Sequence, residues 1–129
     1  MDQVEGFFEN DQIDFDQAVI GGFSQGSILS FALALRKSKK GRTPKAICLF
    51  SPTFAGETKL IEEIKELGDI PLFISHGTHD QVLPYRQTQK LVELCEKNFK
   101  TFKFHSFNDG HTIPLSAIQS ANQFLADTL

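Results

Sequence analysis

Gly22-Phe23-Ser24-Gln25-Gly26 fits the pattern G-x-S-x-G, a spacing that carries chemistry only where a strand ends and a helix begins. In that setting a sharp turn lifts the serine hydroxyl clear of the sheet, and glycines on either side are expected to remove Cβ atoms that would collide with neighbouring backbone. The helix that follows turns its positive end toward the serine, and the Gln25 amide is placed to donate to an oxyanion. A serine hydroxyl is a weak nucleophile at neutral pH until a base takes its proton, and the base needs an acid behind it to set its tautomer. Candidates for both come later in the chain: Asp80 in His76-Gly77-Thr78-His79-Asp80-Gln81-Val82-Leu83-Pro84, and His111 in Asn108-Asp109-Gly110-His111. Ser24, Asp80 and His111 are therefore the expected nucleophile, acid and base of an acyl-transfer site.

Other readings of these residues stay open on the sequence. Asp80 suits a turn, where aspartate is favoured, and Asp109 is a rival acid that its place on the His111 loop makes a turn-shaping residue. His76 and His79 beside Asp80 suggest a metal site, but no second cluster of ligands accompanies them, so no metal is expected. His76 is read as closing a strand, His79 as solvated, and His105 as lying on a polar strand face.

The elements that must position the three loops are legible as alternating strands and helices. Strands are expected at Gln17 to Phe23, Lys45 to Ser51, Pro71 to His76 and Thr101 to Phe107. Ala46-Ile47-Cys48-Leu49-Phe50 and Leu72-Phe73-Ile74 are continuously apolar, as strands covered by helices on both faces must be, which places them inside a parallel sheet. Thr101 to Ser106 alternates polar with apolar and suits an edge strand with one wet face. Helices are expected at Gln25 to Ser38, Thr58 to Leu67, Tyr85 to Asn98 and Leu115 to Asp127, the first apolar nearly all round and the others with one apolar face. Val4, Phe7 and Phe8 suit the end of a further helix. The order is that of one α/β unit with right-handed crossovers.

Composition excludes several roles. The 129 residues carry a net charge of −3, and the only basic cluster, Arg36, Lys37, Lys39, Lys40 and Arg42, reads as a solvated helix end, so nucleic acid is not an expected partner. There is neither a leader-like N-terminus nor an apolar run long enough to span a membrane, and a cytoplasmic location is expected. Cys48 lies in an apolar strand and Cys95 in a helical pattern, which suits buried thiols rather than a disulfide.

The segments GGFSQG, HGTHDQVLP and NDGH resemble the phospholipase/carboxylesterase group of α/β hydrolases, which includes acyl-protein thioesterases. The resemblance runs from about Asp16 to the C-terminus. It implies a three-layer α/β-hydrolase fold, with Ser24, Asp80 and His111 as the triad, in the order that this fold uses. It also implies cleavage of small acyl esters or thioesters without metal or organic cofactor. The chain departs from the group at Leu49-Phe50-Ser51-Pro52, where a serine followed by glycine is common. Members also carry several strands ahead of the serine strand, with the loop that supplies a second oxyanion amide. The expectation is therefore a truncated fold of about four parallel strands, a single partial domain over residues 1–129, either an esterase or a non-catalytic fragment serving as an interaction module. The free side of Gln17 to Phe23 is then an open edge, expected to self-associate or to take an N-terminal partner.

Overall fold

The continuous apolar runs become the two central strands, because only a strand sandwiched between helix layers can hide every side chain. The computed structural model describes residues 14–52 and 60–129. Its strands are β1 (Val19–Phe23), β2 (Ala46–Phe50), β3 (Leu72–Gly77) and β4 (Phe102–Phe107), all parallel in the order β1-β2-β3-β4. Every residue of β3 is buried, as are the first four of β2. The helices are α1 (Gln25–Ser38), α2 (Leu60–Glu66), α3 (Tyr85–Asn98) and α4 (Leu115–Thr128). Among the described residues no helix is long and apolar enough to cross a membrane.

Right-handed crossovers between neighbouring parallel strands put α1, α2 and α3 on one face of the sheet. Phe31, Leu33, Ile64, Leu91 and Cys95 meet Ile20, Ile47, Leu49, Leu72 and Ile74 there. After β4 the chain returns over the opposite face, where Ala121 and Phe124 of α4 cover Cys48 and Phe73. This is the expected three-layer arrangement. Cys48 and Cys95 are free and buried in these separate clusters, and burial alone pushes their thiols up to about 11 and about 12.

Several local expectations need correcting. The first strand starts at Val19 rather than Gln17, because Phe15–Gln17 forms a 3₁₀ turn whose Asp14 side chain accepts from the Asp16 amide at 3.0 Å. Lys37 is not solvated: it is 2% exposed, with its ammonium 5.9 Å from the centre of the buried Phe15 ring. The β4 face carrying His105 is not fully wet either, since α4 lies over it and brings Ser116 Oγ within 3.3 Å of His105 Nε2. The suggested helix around Val4 to Phe8 lies outside the described residues.

The serine-bearing turn requires only one of its glycines for space. A Cβ on Gly22 would run into the Gly26 carbonyl, whereas a Cβ on Gly26 meets nothing within 4 Å. Gly26 instead offers its carbonyl oxygen to the Ser30 hydroxyl at 2.9 Å. Gly22→Ala should therefore cost about 2 kcal/mol or more through overpacking. Gly26→Ala should be neutral or gain up to about 1 kcal/mol of helix propensity. Urea unfolding of the two variants checks the contrast.

Candidate active site

Four parallel strands present their carboxyl ends at one edge of the sheet, and three loops there carry the residues singled out above. Ser24 follows β1 directly, with φ 57° and ψ −116°, a conformation that strains a residue with a Cβ. The strain is held by pinning on both sides. The Ser24 amide donates to the Phe50 carbonyl of β2 at 2.9 Å, and the Ser24 carbonyl accepts from the Ser27 amide at 3.0 Å and from the Ser27 hydroxyl.

Asp80 sits just beyond β3 with its carboxylate fully buried. Its Oδ1 accepts the Val82 and Leu83 amides, each at 2.8 Å, so the residue does shape its turn, while Oδ2 remains for another partner. The loops after β3 and β4 are stitched together. The Thr78 amide donates to the Phe107 carbonyl at 2.8 Å and the His79 amide to the Asp109 carbonyl at 3.0 Å. A Cβ on Gly77 would meet the Asp109 and Gly110 carbonyls, so this close approach needs glycine. Asp109 turns its carboxylate to the Gly110 amide at 2.7 Å, the turn-shaping role rather than that of rival acid.

This stitching sets His111 between the other two. Its Nδ1 lies 2.7 Å from Asp80 Oδ2 and its Nε2 lies 3.0 Å from Ser24 Oγ. A carboxylate can only accept, so Nδ1 carries the proton, and Nε2 is left to accept the serine hydroxyl. The Phe23 ring packs against the imidazole at 4.8 Å between centroids. Burial pushes the Asp80 carboxyl up, but the Leu83 amide, the His111 ring and the Val82 amide outweigh it and hold the group below its ordinary value.

His76 departs from expectation. It does not merely end a strand: it is wholly buried within β3, with Nε2 2.9 Å from the Leu83 carbonyl oxygen and 3.2 Å from Asp80 Oδ2, and Nδ1 2.9 Å from Thr88 Oγ1. The signal was available, since a histidine at the end of a continuously apolar strand must find polar partners inside the protein. His79 is exposed, as expected.

Known proteins are similar to this chain in sequence and fold. The phospholipase/carboxylesterase family profile matches residues 2–129. Acyl-protein thioesterase 1 of Debaryomyces hansenii is 32% identical over 124 residues, covering 94% of this chain and 52% of the yeast protein. The Candida albicans protein of the same name is 35% identical over 98 residues, or 74% of this chain and 42% of that one. Among solved structures, esterase PE8 superposes with a TM-score of 0.77 at 26% identity over 97% of this chain and 56% of its own. Acyl-protein thioesterase 2 of Zea mays gives 0.76 at 20% identity over 98% and 62%, a likeness of fold. The chain thus spans about half the length of the curated relatives it matches.

The Asp80 environment has a consequence for stability. A carboxyl whose native pKa is depressed adds stability that is fully present above its unfolded value and is lost as pH falls through the lower native value. Asp80→Asn removes that titration and sets an amide donor against His111 Nδ1. The variant should be less stable than the parent at neutral pH and should lose less stability on acidification. Denaturant midpoints across a series from neutral to acid pH read both effects.

Proposed function

Because the chain belongs to the phospholipase/carboxylesterase family, we propose that it is a serine hydrolase cleaving carboxylic esters or thioesters through an acyl-enzyme on Ser24. The observation that carries this reading is the continuous contact from Asp80 Oδ2 through the His111 ring to Ser24 Oγ, at 2.7 and 3.0 Å. His111 Nε2 takes the hydroxyl proton as Ser24 Oγ attacks the acyl carbon, and Asp80 holds the ring in its tautomer and stabilises the imidazolium. The negative charge passes to the former carbonyl oxygen, where the Gln25 amide at the first turn of α1 donates to it. Collapse of this intermediate breaks the bond to the leaving alkoxide or thiolate, which takes the proton from Nε2. Water then repeats the sequence with His111 as base and releases the acid. The chemistry needs no metal or organic cofactor.

In this reading residues 1–129 form one partial α/β-hydrolase domain, and small acyl esters or thioesters are its substrates. Free thiols at Cys48 and Cys95 are in keeping with a reducing compartment, and we place the protein in the cytoplasm. A second reading, a non-catalytic module, is favoured by one feature: among the described residues β1 pairs only with β2. Beside that open edge Val19, Phe23 and Leu29 are each about 40% exposed, and a groove of about 340 Å³ runs between β1 and α1. We assign this edge to an added strand from a second copy of the chain, with a separate N-terminal partner as the alternative source.

A fluorophosphonate probe should label Ser24, and Ser24→Ala should abolish the labelling. If the second oxyanion donor is missing, labelling should run on the order of a hundredfold to a thousandfold slower than for a complete relative. Labelling that survives the substitution points to a different nucleophile. For the edge, sedimentation velocity over a concentration series should show association that Val19→Lys weakens. A concentration-independent monomer overturns the assignment to a second copy.

A further inference from the structure

His76 occupies the same buried neighbourhood as the proposed acid, and the mechanism above leaves it without a task. The Leu83 carbonyl, 2.9 Å from His76 Nε2, can only accept, so Nε2 carries the ring proton and donates it. Nδ1 is then unprotonated and accepts from the Thr88 hydroxyl at 2.9 Å. The tautomer is fixed by these two partners, one from the Asp80 loop and one from α3. Burial lowers the ring's pKa and favours the neutral form, against opposing contributions from the Leu83 bond and the Asp80 charge. Tyr85 of α3 flanks the ring at 5.9 Å, and Asp80 and His111 are the titratable groups that bear on it.

The contacts form a closed circuit. Leu83 donates its amide to Asp80 Oδ1 at 2.8 Å and gives its carbonyl to His76, while His76 Nε2 also stands 3.2 Å from Asp80 Oδ2, the oxygen that faces His111. We propose that His76 is a positioning residue: its Nε2–H clamps Leu83 and lies against Oδ2, fixing the Asp80 carboxylate in the plane that meets His111 Nδ1. A carboxylate held by Oδ1 alone still pivots about that oxygen; the second hold removes the pivot. The inference rests on the triad reading above, but its test needs no turnover.

Proton and carbon NMR on the full chain reads both ends of the circuit. His76→Phe keeps an aromatic ring beside Tyr85 and removes every N–H; His76→Gln loses the ring and keeps a side-chain N–H. The Phe variant should lose the far-downfield Nδ1–H signal of His111, and its Asp80 carboxyl carbon should titrate at higher pH than in the parent. The Gln variant should retain the signal and the lower titration. A packing role gives the reverse order, so a parent-like Phe variant overturns the proposal, as does equal disturbance in two folded variants. If circular dichroism shows either variant unfolded, Thr88→Val decides, because it preserves shape and removes only the donor to Nδ1. A weakened His111 signal in that variant supports the proposal, and a parent-like one overturns it. Absent Ser24 labelling with these responses intact would count against the hydrolase reading alone.

Discussion

A buried carboxylate is the constraint around which this molecule is arranged. Removing the Asp80 charge from water is costly unless donors replace the lost hydration, and an unpaired buried charge would be expelled or neutralised. The replacement comes from the Val82 and Leu83 amides of its own loop and from the His111 ring beyond β4, while the His76 ring at the end of β3 stands 3.2 Å from Oδ2 and gives its proton to the Leu83 carbonyl. Each donor also fixes the element it belongs to. The charge therefore organises the loops as much as the loops protect the charge, and the imidazole that faces the serine inherits its orientation from this arrangement.

The sheet makes the arrangement possible. Ser24 and His111 are far apart in sequence and Asp80 lies between them, yet parallel pairing sends all four strands toward the same edge. Register does the rest. Phe23 pairs with Phe50 and Gly77 with Phe107, so the turn bearing Ser24 bonds to the end of β2, and the Asp80 and His111 loops bond to one another. Gly77 lets the last two backbones approach closely enough for a direct histidine–aspartate contact. The turn at Ser24 is strained, but its amide and carbonyl are both bonded, so the neighbouring strand and helix hold the conformation rather than the residue's own preference.

The framework was readable from residue pattern because it rests on features repeated along the chain. The apolar runs of β2 and β3, the three longer helices and the placement of G-x-S-x-G between strand and helix each follow from local periodicity or turn chemistry. What escaped were features decided by single contacts whose geometry residue periodicity does not encode. Lys37 reads as a solvated cation within a basic cluster until Phe15, from ahead of β1, is placed beneath it. The symmetry of the motif suggests equal crowding at Gly22 and Gly26, but only the strand-side glycine faces backbone. His76 reads as a strand terminus because its partners Leu83 and Thr88 lie in elements whose packing no local window contains.

A chain spanning about half the length of its curated relatives nevertheless holds the whole serine–histidine–aspartate contact, and the reason lies in topology. The three residues follow β1, β3 and β4 of one four-stranded run, with β2 bridging the first two, so their geometry depends on the pairing of β1 through β4 with one another. Cover is distributed differently. β3 lies between two neighbours and two helix layers and is buried throughout, whereas β1 alternates exposed with buried residues and leaves Val19 and Phe23 well exposed. Phe23 joins the two situations, since its ring leans on His111 while part of it faces outward. Whatever comes to lie along β1 would thus touch the wall of the site directly. The imidazole and carboxylate are positioned by the loops after β3 and β4, whereas the serine oxygen is carried by the turn after β1 and held there by β2 and α1.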